Sequence, residues 1–278
     1  MTFVRLGGVA HHVVVDGAGP VCVLAAGLGM SWFDWDPVVP LLAPHRTVVR
    51  FDRPGHGLSQ PAAVPPTAAG EAHRIAALLD ALGLDRAPAT VVGHSIAGFH
   101  AEAFARLHPT RTAALVLLDS SVEERPPRLP RLLRRTAPQL ARALGATLSA
   151  AGVPAALGPA ARALSVRGSS RRRPDPSPPE LVRRVYRTSR VLRGTLDENA
   201  RYGAVAAELL VLRERAPLPP GLPVTVLAAP DGSARWERRQ RALARRLGAR
   251  YEAAEPSGHL VMLDRPDAVA RAVLRVEG

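Results

Sequence analysis

Residues 90–100 read Thr-Val-Val-Gly-His-Ser-Ile-Ala-Gly-Phe-His, a short apolar run that breaks at Gly93, presents Ser95 and leads straight into an amphipathic stretch. A serine hydroxyl is a weak nucleophile at its free pKa. It works only at an exposed tight turn, beside a general base and near backbone N–H groups that receive the developing oxyanion. Strand, small residue, serine, small residue and helix supply that geometry. Gly93 and Ala97 flank Ser95 with little bulk, and the N–H of Ile96, at the helix start, is placed to point at an anion. The chemistry implied is acyl transfer.

A nucleophile needs partners, and further landmarks stand in order along the chain. Val21–Leu24 reads as a strand running into Ala25-Ala26-Gly27-Leu28-Gly29-Met30-Ser31-Trp32, and Phe51-Asp52-Arg53-Pro54-Gly55-His56-Gly57-Leu58-Ser59 forms a glycine-rich turn. After Ser95 come Leu107-His108-Pro109 and the apolar strand Ala114–Leu118 ending at Asp119. Then follow the strand Val224–Ala228 with Pro230-Asp231-Gly232, and finally Ser257-Gly258-His259-Leu260. This constellation resembles the α/β-hydrolase superfamily over about residues 1–120 and 216–278, and the chain order serine, aspartate, histidine is that fold's order.

The resemblance implies a role for each group. Ser95 is expected to attack the acyl carbon, and His259 to take its proton and return it to the leaving group. Asp231 is expected to fix the imidazole. The backbone N–H groups of Leu28 and Ile96 are the expected oxyanion donors. Asp119 also ends a strand and is a second candidate acid. Asp231 is preferred because it occupies the strand-turn position that normally carries the acid and lies nearer to His259. Two positions depart from the family pattern: Ala26 stands where a histidine usually precedes the oxyanion-loop glycine, and Ala97 replaces the elbow's last glycine. Neither removes a catalytic group, and Ala26 bears on how the loop is supported.

Other residues invite less chemistry. His94 is expected to turn away from the nucleophile and pack, and His56 to serve its turn. His11 and His12, adjacent on a strand, face opposite sides and do not share a metal. The remaining histidines lack carboxylate or cysteine partners at ligand spacing, so no metal site is expected. Trp32 and Trp35 are candidates to line the acyl pocket, with core anchoring as the alternative.

The elements that must position these groups read as α/β. The chain has 278 residues, 47% of them hydrophobic, enough for one sizeable core. Val21–Leu24, Thr90–Val92 and Leu115–Leu118 are apolar without alternation, as in a parallel sheet covered on both faces. Ala68–Leu82 carries Ile75, Leu78, Leu79 and Leu82 on one helical stripe before Gly83. The expected fold is a mostly parallel eight-stranded α/β-hydrolase sheet with helices on both faces. Residues 1–120 and 216–278 form its core, and 121–215 a helical, arginine-rich cap.

Charge is concentrated in that insertion. Of a net charge of +13, residues 121–215 hold 19 arginines against eight acids, a net +11. Prolines 126, 127, 130, 174, 176, 178 and 179 divide the segment, and Arg171-Arg172-Arg173 marks the second break. A basic lid would concentrate an anionic substrate or an acidic carrier protein, but every basic residue is arginine, which reads as compositional bias. Aromatic residues are 4% of the chain, against nucleic-acid binding. Leu129–Val166 is amphipathic enough for an anionic membrane surface, although cap helices over an acyl pocket read the same way and are preferred. No run reaches a membrane span or resembles a signal peptide. The lone Cys22 lies inside an apolar strand and reads as a core residue. A cytoplasmic, cofactor-free serine hydrolase is expected, cleaving an ester or related acyl bond of a small apolar molecule. A non-catalytic ligand-binding protein and a triad-using lyase or haloperoxidase-like enzyme are the alternatives.

Overall fold

The computed structural model describes residues 2–123, 131–172, 174–231 and 233–275, with side chains of 131–135 excluded. The expected breaks at Pro126, Pro127 and Pro130, and Arg173 and Gly232, lie outside the described residues. Among the described residues eight strands form one sheet: β1 (Thr2–Leu6), β2 (Val9–Asp16), β3 (Val21–Ala25), β4 (Thr47–Phe51), β5 (Ala89–His94), β6 (Thr112–Leu118), β7 (Val224–Ala228) and β8 (Arg250–Ala253). Their order is β1-β2-β4-β3-β5-β6-β7-β8. β2 runs antiparallel to both of its neighbours, and every pairing from β4 through β8 is parallel. The mostly parallel eight-stranded sheet is thus the one expected.

The helices are α1 (Val39–Leu42), α2 (Ala68–Ala81), α3 (Ala97–Leu107), α4 (Arg131–Ala150), α5 (Val153–Ser169), α6 (Pro179–Tyr186), α7 (Ser189–Arg215), α8 (Ala234–Leu247), α9 (Val261–Asp264) and α10 (Pro266–Leu274). Successive side chains of a strand point to opposite faces, and both faces here are covered. Val23, Val91, Leu115 and Leu117 pack with Ile75, Leu79, Phe99, Phe104 and Leu243 from α2, α3 and α8. Cys22, Leu24, Val92, Val116 and Leu118 pack on the other face with Leu42, Val261, Val269 and Val273 from α1, α9 and α10. This two-sided burial is why β3 and β5 are apolar at consecutive positions, and it makes Cys22 the core residue it reads as.

Helices α4–α7 occupy the chain between β6 and β7. Among the described residues no single helix is long and apolar enough to cross a membrane. The 27-residue α7 does two jobs. Val191, near its start, packs with Trp32, Phe33, Val182 and Val185, whereas Val205, Ala206 and Leu209 join the core beside α2 and α3. Glu208 of α7 also accepts the N–H groups of Ala68 (2.6 Å) and Ala69 (3.2 Å). Together with the Thr67 side chain, which accepts from Gly70, it satisfies orphan donors at the start of α2.

Candidate active site

Ser95 follows β5 and adopts φ +54°, the left-handed region that costs a non-glycine residue about 1–3 kcal/mol. The surroundings hold it there. Its N–H donates to Leu118 O (3.1 Å), and its carbonyl accepts from Gly98 (3.0 Å) and Ser121 (3.0 Å). The small residues around it are obligatory for steric reasons. A Cβ on Gly93 would strike the carbonyl of Ala97, and one on Gly98 would strike the Ser120 side chain. Ala97 is fully buried at the start of α3, so its methyl is tolerated where the family's glycine is missing. Among the described residues neither the Leu28 nor the Ile96 N–H has a protein acceptor.

His259 lies in the loop between β8 and α9, its side chain 38% exposed. The loop is pinned from two directions. Gly258 N–H donates to Asp264 (2.7 Å), and Leu260 N–H donates to Ser169 O (2.9 Å) at the end of α5. His259 Nδ1 stands 2.5 Å from Asp119 Oδ2. That carboxylate is buried, and its other oxygen accepts the Ala229 N–H (2.9 Å) and the indole N–H of Trp236 (2.7 Å). Its backbone φ of +38° turns it off the end of β6.

Asp231, the acid expected from the sequence, is elsewhere. Its half-exposed carboxylate pairs with Arg171 at the surface. The expected His259–Asp231 pairing is therefore corrected to His259–Asp119. Both residues are aspartates at strand ends with positive φ, so local sequence did not separate them. Trp236, on α8, was not singled out. It makes the difference, because its indole N–H orients Asp119.

Two other expectations change. Trp32 and Trp35 do not line the cavity beside Ser95. Trp32 is buried with its ring edge-on to His12 (4.3 Å) and Phe33 (5.0 Å), and Trp35 is fully buried in the core with Leu42 and Val261. The alternative, core anchoring, is what they do. His94 packs as expected but does not turn away. Its Nε2–H donates to the His259 carbonyl (2.9 Å), and the two rings lie 4.7 Å apart. Burial, reinforced by the neighbouring His259, holds the His94 imidazole well below the usual histidine range, so it stays neutral.

Ser95 and His259 open on a cavity of about 490 Å³. Leu28, Gly29 and Met30 form one wall. Val153, Leu157 and Ala161 of α5, Tyr186 of α6, and Leu192 and Thr195 of α7 form the other. At its edge the buried Arg162 joins the two walls. It donates to Asp175 (2.9 Å) and Asp34, and its guanidinium stands 5.5 Å from the centre of the Tyr186 ring. Burial alone would lower the Arg162 pKa, but the carboxyl groups of Asp34 and Asp175 hold it above its ordinary value, so the guanidinium stays charged. The Tyr186 hydroxyl donates to Gly29 O (2.9 Å), tying α6 to the loop after β3.

A sequence model described as the alpha/beta hydrolase family matches residues 22–272. The chain belongs to this family. Among curated relatives, this α/β hydrolase is similar to 2-hydroxy-6-oxo-2,4-heptadienoate hydrolase of Pseudomonas putida, 36% identical over 119 residues, or 41% of this chain and 42% of that protein. It is also similar to a fluoroacetate dehalogenase of a Burkholderia species, 34% identical over 121 residues, 42% of this chain and 39% of that protein. The matched stretches thus span about two fifths of those relatives. Among solved structures, the α/β hydrolase shares its fold with the enol-lactonase of Burkholderia xenovorans LB400, with TM-score 0.66, 22% identity and 99% of both chains covered. An alpha/beta hydrolase fold protein of Burkholderia ambifaria aligns with TM-score 0.70 and 23% identity over 98% of this chain and 96% of that one.

Proposed function

We propose that this α/β hydrolase is a cofactor-free serine hydrolase that cleaves a carboxylic ester or related acyl bond of a small, largely apolar molecule. The observation that carries the reading is a strained Ser95 sharing one cavity with His259, whose Nδ1 is bound to buried Asp119. With the Nδ1 proton on the Asp119 side, Nε2 is left as the base. His259 takes the Ser95 proton as the hydroxyl oxygen bonds to the acyl carbon, and Asp119 stabilises the imidazolium. The carbonyl oxygen becomes an anion received by the N–H groups of Leu28 and Ile96. Collapse expels the leaving group, which takes the proton from His259. Water then repeats the sequence on the acyl-enzyme and frees Ser95.

Volume and lining support the substrate class. Small-molecule sites of about 300–1,000 Å³ bury most of a ligand, and Leu28, Met30, Val153, Leu157 and Leu192 offer apolar surface at about 490 Å³. The inserted segment 121–215 serves as the cap, since α5, α6 and α7 supply one wall of the cavity.

The test is labelling by a fluorophosphonate with a chain-length series of p-nitrophenyl acyl esters. Labelling and turnover in wild type, lost in Ser95→Ala and His259→Ala, are expected. A folded wild type that neither labels nor turns over any ester sinks the proposal.

A further inference from the structure

We infer that Arg53 is a positioning residue for the oxyanion donor, and that Glu198 on the inserted helix α7 holds it in place, so that seating the inserted helices and aiming the Leu28 N–H are one event. The inference rests on the hydrolase reading above and deepens it.

Within the loop after β3 the Gly27 carbonyl takes one turn bond, from the Met30 N–H (3.2 Å), but Ala26 and Gly27 carry no polar side chains to add firmer anchors. Arg53, from the turn after β4, supplies them. Its Nη1 donates to Ala26 O and its Nη2 to Gly27 O (2.9 Å). The carbonyl of Gly27 and the N–H of Leu28 belong to one planar trans peptide, and in such a plane C=O and N–H point in opposite directions. A guanidinium that anchors the carbonyl therefore fixes the direction of the N–H, whose residue lines the cavity beside Ser95. The positive charge also draws density from the peptide, which strengthens the N–H as a donor. On the loop's other side, a Cβ on Gly27 would strike the His94 ring, so the segment lies clamped between Arg53 and His94.

Arg53 is itself placed by Glu198. Nε donates to Oε1 at 2.8 Å and Nη2 to Oε2 at 2.9 Å, a paired contact between two buried groups. His56 Nε2 lies 3.3 Å from the same carboxylate. Burial alone would raise the Glu198 pKa, yet Arg53 and His56 hold it well below the usual carboxylate range, so the brace is charged. The planar guanidinium spends four of its N–H groups on Glu198, Ala26 and Gly27. An ammonium, a single point charge, does not reproduce that fork.

The experiment compares Glu198→Gln, Arg53→Lys and the double variant Arg53→Met/Glu198→Met with wild type. Steady-state esterolysis is measured together with binding of an alkyl trifluoromethyl ketone, which mimics the tetrahedral adduct, and of the matching alkyl amide, which does not. Removing both charges leaves neither Arg53 nor Glu198 behind as an unpaired buried ion, so the double variant is expected to fold, as circular dichroism and thermal melting check. Losing one oxyanion donor costs about 10²–10³ in kcat. The double variant should approach that loss, with KM within about threefold of wild type. Glu198→Gln should lose about tenfold, and Arg53→Lys should fall between the two. Ketone affinity should weaken in step with kcat/KM while amide affinity holds.

A double variant whose kcat and ketone affinity stay within about twofold of wild type overturns the inference, on the scale set by losing a donor. So does a loss confined to KM and amide binding, which would make the pair a brace for the inserted helices alone. A wild type that no fluorophosphonate labels overturns the hydrolase reading itself. That outcome is distinct from a labelled wild type with unaffected variants.

Discussion

At the scale of single residues, the acid behind His259 separates a carboxylate that is built into the site from one that merely neighbours it in sequence. Asp119 has all of its partners fixed: Ala229 and Trp236 on one oxygen, His259 on the other. Asp231 faces Arg171 and solvent, where an ion pair contributes between 0 and about 1 kcal/mol. Asp119→Asn should keep the fold but favour the wrong imidazole tautomer, lowering kcat/KM by on the order of 10³–10⁴. Asp231→Asn should leave it within about twofold, since it removes only a surface pair. Steady-state kinetics on one p-nitrophenyl ester decides, and a large loss in Asp231→Asn with Asp119→Asn near wild type would restore Asp231 as the acid. Ser95 and His259 were legible because the turn sequences around them have few other uses. The acid was not, because the groups that select it come from α8 and β7, and no local pattern announces that Trp236 will reach back to Asp119.

At the scale of elements, β3, β5, β6, β7 and α2 could be read directly, because burial on both faces of a parallel sheet and a 3.6-residue stripe each leave a pattern in the sequence, whereas the edge strands β1 and β8, largely exposed or half-buried, carry no apolar run. Val224–Ala228 was read to the residue, and α2 ends one residue before the expected Leu82, with Gly83 at φ +67° just beyond. The division of α7 was not legible. Its 27 residues form one unbroken helix, and the fact that one half lines a cavity while the other packs on α2 and α3 depends on tertiary neighbours. The anchor between α7 and α3 is Glu102, buried and accepting from Arg106 (2.8 and 3.0 Å) and from Arg213 (2.7 and 2.8 Å). Removing one member of such a group leaves the others charged and uncompensated. Glu102→Gln should destabilise the protein by about 3–5 kcal/mol, as breaking a buried pair does. Urea unfolding measures it, and a loss below about 1 kcal/mol, the range of a surface pair, would show that the cluster is solvated.

For the whole molecule, the net charge of +13 is untouched by internal pairing, since each buried pair removes one charge of either sign, but some of the arginines work inside the fold. Arg53, Arg162 and Arg213 are buried or nearly so against Glu198, Asp34 and Glu102, and these three pairs join the inserted helices to the core. Composition alone shows the excess but not this internal use, since pairing across 100 residues or more leaves no local trace. The same architecture sets a pH dependence. His100, on α3, is fully buried, its two ring nitrogens have no partner among the described residues, and burial holds its pKa down to about 4. The groups around it are Glu71, Glu198, Arg53 and Arg74. The unfolded chain takes up a proton at this residue below about pH 6.5, whereas the folded protein stays neutral there until about pH 4. Stability is therefore intact above pH 6.5 and is lost as the pH falls through this window, by on the order of 3 kcal/mol for this one site. Glu198, held low by Arg53 and His56, shifts the same way at lower pH, since its contribution is present above the usual carboxylate range and is lost in acid. Replacing His100 with Leu removes the first of these proton sites and spares the second. Urea midpoints taken from pH 7 to pH 5 should then fall less steeply in His100→Leu than in wild type. Parallel curves would mean that His100 is protonated in the fold and that a charge is tolerated against the paired arginines beneath the inserted helices.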